Sequence, residues 1–181
     1  NIFRVVDETI FPATACIVHG KGMAIRDHRL GVFVQIADKH FLVTAAHGLI
    51  KYRDDGLDCF LAQGKKGSHP VLVETERLYT TKSDETDLAV CLLNDAIVEY
   101  LGPNQKYLRI TDFIPKQECR NDLYVIVGFP FDRFRPDDDG IMRREGWKYV
   151  TNRFEATELV QNYDPTTHLV VKYELDTTDE L

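Results

Sequence analysis

Phe41-Leu42-Val43-Thr44-Ala45-Ala46-His47-Gly48-Leu49 is the stretch on which the fold of this chain turns. Phe41 to Thr44 has the aromatic and β-branched character of a strand, and the two alanines that follow let the backbone turn sharply and pack closely. His47 then emerges at a strand end. An imidazole there can take a proton from a nucleophile and return it to a leaving group near neutral pH. A histidine in an apolar stretch is more often structural, so the surrounding sequence has to carry the case.

Working outward, short runs rich in Val, Ile, Leu, Phe and Tyr recur between turn signals while helix periodicity is scarce, which predicts an all-β sandwich or barrel. The first half offers Ala13 to Val18, Leu30 to Ala37, His40 to Thr44, Cys59 to Ala62, His69 to Thr75 and Leu88 to Leu93. Lys51 to Gly56, Gln63 to Ser68 and Lys82 to Asp87 read as loops, and Asp95 to Lys106, with Gly102-Pro103-Asn104, reads as a linker. Tyr107 to Ile110, Leu123 to Gly128, Lys148 to Ala156 and Leu169 to Leu175 are the strands expected after it. Two lobes follow, 1–100 carrying His47 and 101–181 holding the linker and a second, strand-poor half.

The chain has 181 residues, 44% hydrophobic and 28% charged, enough for a sizeable core and unlike a disordered or fibrous sequence. With a net charge of -7 and scattered Lys and Arg, it is not expected to bind nucleic acid. Its apolar runs fall far below the ~18 residues of a membrane span. No signal peptide or anchor is read, and a cytoplasmic location is expected. Cys16, Cys59, Cys91 and Cys119 are widely spaced and read as reduced core thiols. Cys16-Ile-Val-His19 has ligand-like residues but no second half, so no zinc site is expected. Asp137-Asp138-Asp139 reads as a solvated loop rather than a cation site.

Leu42-Val43-Thr44-Ala45-Ala46-His47 resembles the histidine motif of trypsin-like serine peptidases. Gly48 stands where many members carry a disulfide cysteine, which matches the bacterial, intracellular type. The family's next motif, an aspartate opening an apolar strand, is similar to Asp87-Leu88-Ala89-Val90-Cys91-Leu92-Leu93, 40 residues after His47. A carboxylate at the mouth of that strand, shielded from water, would accept the hydrogen bond of Nδ1 and fix the imidazole tautomer. Asp84 is the nearby competitor, and Asp87 is preferred because its neighbours alternate into a strand. Tyr124 to Pro130 resembles an early strand of the family's second barrel.

The resemblance implies two antiparallel six-stranded β-barrels, the second incomplete in this chain, and a serine endopeptidase with His47 and Asp87 as catalytic residues. No cofactor or metal is implied. The nucleophile is missing: the two serines, Ser68 and Ser83, both precede Asp87, and no Ser or Cys follows Cys119. Thr166, Thr167, Thr177 and Thr178 lack the paired glycines of an oxyanion loop. In the family template the serine follows the aspartate by roughly ninety positions, which from Asp87 falls near ~177 and, with the family's variation in loop length, just past Leu181. The serine is therefore expected on a C-terminal continuation or a companion chain, which would also complete the second barrel. Protein or peptide substrates, and a regulatory subunit or further domains, are the expected partners. The alternatives are a trypsin-like scaffold that has lost catalysis and serves as a binding or regulatory module, and an unrelated β-sandwich interaction domain in which the His47 string is accidental.

Overall fold

In the computed structural model, residues 2–21, 24–62, 71–73, 78–80, 86–112, 123–128, 134–136, 142–144 and 147–152 are described. The chain opens with consecutive helical turns: α1 (Ile2–Val5), a π-helical turn (Val6–Ile10) and α2 (Phe11–Ala13). Thr14 ends them, its Oγ1 donating to the Ile10 carbonyl at 2.8 Å. A strand-rich unit then follows, built from β1 (Thr14–Lys21), β2 (Ala24–Ile36), β3 (Lys39–Thr44), β4 (Asp58–Leu61), β5 (Val71–Leu72), β6 (Leu78–Thr80) and β7 (Ala89–Leu92). They form one antiparallel sheet in the order β5-β4-β1-β2-β3-β7-β6.

The first three strands form a meander because each turn is short and each strand alternates. At the β2–β3 turn Ala37 is held at φ 53°, a left-handed conformation that costs an alanine about 1 kcal/mol. Ile17, Phe33, Leu42, Leu61 and Cys91 face one another in the core, all but inaccessible to water. The other face of β1 is buried too: Cys16 and Val18 pack against Phe11 and Phe60. β4 and β7 are separated in the sheet by three strands, yet Cys59 and Cys91 are close enough for the thiols to influence one another electrostatically. The sheet is therefore curled into a half-barrel.

Three stretches depart from expectation, and each for a local reason. The segment after His47 is not a loop from Lys51: α3 (Ala46–Asp54) continues the chain, anchored by buried Ala46 and Leu49 and ended near Gly56 at φ +66°. The expected linker is α4 (Asp95–Leu101). Asn94 caps it by accepting the Ile97 N–H at 2.8 Å, Ile97 and Leu101 sit one turn apart in the core, and Gly102 at φ 79° ends it. Finally, β2 begins six residues before Leu30, because Asp27, His28 and Arg29 pair with β1 despite their charge.

β8 (Leu108–Arg109) runs parallel to β2 at Val34 and Gln35, beyond the point where β1 stops. Contacts divide the chain into two units, Asn1–Phe113 with Gly128–Gly146, and Ile114–Val127 with Trp147–Leu181. The first unit also holds the antiparallel pair β10 (Phe134–Pro136) and β11 (Met142–Arg144). In the second, β9 (Leu123–Gly128) pairs with β12 (Trp147–Asn152). The chain is mostly β. The strand Leu169 to Leu175, the remainder of Lys148 to Ala156, the acidic run at Asp137 and the loop Gln63 to Ser68 lie outside the described residues. No helix among the described residues is long and apolar enough to cross a membrane.

Candidate active site

β3 and β7 lie side by side, with Thr44 opposite Ala89 at the end of the ladder. Two residues past that pair on one strand is the turn into α3, and two residues before it on the other is Asp87. Ladder register alone thus brings His47 and Asp87 to the same edge, although 40 residues separate them. A tight turn, with the Leu88 N–H donating to the Thr86 carbonyl at 3.0 Å, makes Asp87 its central residue just before β7.

Asp87 holds His47 by two groups at once. Oδ1 accepts the backbone N–H of His47 at 2.8 Å, and Oδ2 is in direct hydrogen-bond contact with Nδ1 of the ring. The Asp87 carbonyl also accepts the Ala46 N–H, at 3.4 Å. These donors hold the carboxyl below the ordinary aspartate range, the backbone N–H of His47 contributing most and its ring next. A carboxylate on Nδ1 favours the tautomer with the proton on that atom and leaves Nε2 as the basic nitrogen. The side chains are 67% and 48% exposed, so Nε2 is open to a reacting group. The expectation that Asp87 is shielded from water is therefore corrected: it is 48% exposed, ahead of the ladder and beside half-exposed Leu88, and N–H donors keep it ionised against the small opposing effect of burial.

On the opposite flank, Thr44 Oγ1 donates to the Leu30 carbonyl of β2 at 2.6 Å. Nothing in the sequence beyond a threonine at a strand end signals this contact. Asp84, the alternative acid, and both serines lie outside the described residues.

A second histidine–aspartate neighbourhood was not foreseen. His19, fully buried, stands opposite Asp27 on β2 and Cys59 on β4. Asp27 is gripped by Arg29, with Nη2 to Oδ2 at 2.7 Å and Nη1 to Oδ1 at 3.1 Å. Burial lowers the His19 pKa to about 4, with Asp27 pulling it up and Arg29 pushing it down. The signal was available: positions 27 and 29 share a face of a strand. Cys16 and His19 point to opposite faces of β1, so they cannot share a metal. Among the described residues no group of three His, Cys, Asp or Glu side chains is arranged for one. A shallow depression of about 310 Å³ beside Lys39, His40 and Asn94 is at the far end of β3 from His47.

No family model and no curated protein sequence matches the chain.

Proposed function

We propose that this chain supplies the base half of a trypsin-like serine endopeptidase, with the nucleophilic serine on polypeptide outside these 181 residues. The observation that carries the reading is the double grip of Asp87 on the backbone N–H and Nδ1 of His47. Such a grip fixes both the tautomer and the direction of the ring, which are the two things a general base needs from its orienting acid. His47 takes the proton of the serine as it attacks the peptide carbonyl, then returns it to the leaving amine. Asp87 stays ionised and stabilises the imidazolium. Backbone amides of the serine loop hold the oxyanion, each worth about 3 kcal/mol of barrier.

The curled sheet corresponds in this reading to the first of two six-stranded barrels, and β9 and β12 belong to a second that the serine-bearing segment completes. The absence of any serine after Asp87 favours one competing reading, a scaffold that binds without cleaving.

The test uses the product of the complete reading frame. Expected results are labelling of one serine by a fluorophosphonate and cleavage of unstructured protein substrates. His47→Ala should lower kcat by about 10⁵-fold, with the thermal midpoint nearly unchanged because the side chain is exposed. A full-length product that carries a serine downstream of Asp87 and neither labels nor cleaves would favour the binding scaffold.

A further inference from the structure

We propose that Thr44 is the positioning residue of the His47–Asp87 pair, its hydroxyl tying the end of β3 to β2 where the chain leaves the sheet. The role rests on the reading of His47 as a general base. Pairing between β2 and β3 runs from Ile36↔Lys39 to Gly31↔Thr44 and stops there. Leu30, the next residue of β2, lies beyond the last pair, and Ala45 leads from β3 into α3. Thr44 Oγ1 donates to the Leu30 carbonyl at 2.6 Å, a side-chain tie between the two strands at the point where their pairing ends.

The geometry around this bond is tight. Gly31 sits directly opposite Thr44, and a Cβ there would lie 2.8 Å from Leu42 Cδ1 and 3.0 Å from the Val43 carbonyl. A side chain at Gly31 would therefore push β2 and β3 apart beside this bond. Thr44 is 7% exposed, so water offers its hydroxyl little replacement. Residues 44 to 47 are thus held from two sides: to β2 by the threonine hydroxyl, and to the residue leading β7 by the Ala46 and His47 amides. Without the first hold, the turn that aims the imidazole is fixed from the Asp87 side alone. Misplacement of a base by about 1 Å can cost about 100-fold in rate.

The experiment compares Thr44→Val, which keeps the shape and removes the hydroxyl, with Thr44→Ser, which keeps the hydroxyl. Imidazole ¹⁵N chemical shifts of His47 report the tautomer directly and do not depend on cleavage. The wild type and Thr44→Ser should show the Nδ1–H tautomer, whereas Thr44→Val should show a mixture. In the serine-bearing product, Thr44→Val should lower kcat by 10- to 100-fold with KM unchanged, and Thr44→Ser should restore it. If Thr44→Val does not fold, Thr44→Ala carries the same comparison. A folded hydroxyl-free variant with the wild-type tautomer overturns the proposal. A tautomer shift in a protein that never cleaves peptides supports the positioning role and counts instead against the peptidase reading.

Discussion

His47 and His19 each have an aspartate close by, and the two neighbourhoods differ in nearly every property that decides what a histidine can do. Asp87 has both oxygens on His47. Asp27 has both on Arg29 and also receives the His28 N–H at 2.7 Å, so its carboxylate is committed elsewhere. His47 faces solvent, whereas His19 is walled in between β2 and β4 and loses its charge to burial. A histidine near an aspartate in sequence or space is thus no sign of a proton acceptor by itself. The carboxylate must be free to orient the ring, and the far nitrogen must be reachable.

The largest way to break the contrast is at Asp87. Asp87→Asn should lower kcat of the serine-bearing product by about 10⁴-fold, because the amide can donate to Nδ1 and select the wrong tautomer. ¹⁵N shifts of the His47 ring should report that change in the same variant. Wild-type kinetics from Asp87→Asn would erase the distinction between the two sites.

A smaller effect sharpens the other side. The folded-state pKa of His19 is depressed to about 4 from the ordinary 6.5, so the fold prefers the neutral ring. Its contribution to stability is complete above pH 6.5 and is lost as pH falls toward 4, where the unfolded chain binds the proton and the fold does not. The loss attributable to this one group is on the order of 3 kcal/mol. Urea midpoints measured from pH 7 to pH 4 should fall less steeply for His19→Gln than for the wild type. Identical slopes would mean that His19 is not the group excluded from protonation.

The smallest change moves one site toward the other. Arg29→Met frees Asp27 and removes the positive charge that opposes protonation of His19. It should cost about 1 kcal/mol at pH 7, as a partly exposed pair does, and raise the His19 pKa above its present value. NMR titration of the ring reads that rise directly, and an unchanged value would show Arg29 to be electrostatically silent at His19.

Legibility in the sequence followed the kind of force involved. Strands built on apolar alternation were readable nearly to the residue: Leu123–Gly128 as read, His40 to Thr44 within one position of β3, and Leu88 to Leu93 enclosing β7. His47 and Asp87 could both be singled out, since each adjoins such a strand. What escaped was structure held by polar caps and by pairing partners. α4 is a seven-residue helix with only two buried positions, too short for periodicity to stand out, and its Asn94 and Gly102 caps were the better signal. The first six of the 13 residues of β2 were hidden because Asp27, His28 and Arg29 look like a loop until β1 supplies their backbone bonds. The solvent exposure of Asp87 could not be read either, since it depends on where β7 begins and not on residue type.

The three described thiols give the curled sheet a practical consequence. Cys16, Cys59 and Cys91 are buried thiols outside any disulfide, and burial pushes the Cys59 thiol up to about 12, with Cys91 adding to the effect. At pH 7 the reactive thiolate of Cys59 in the closed protein is then only about 10⁻⁵ of the total. An alkylating reagent meets it chiefly during excursions in which β4 parts from the strands around it, when its reactivity returns to that of an ordinary thiol. The rate of labelling at Cys59 is therefore a clock for the opening of the curled sheet around β4.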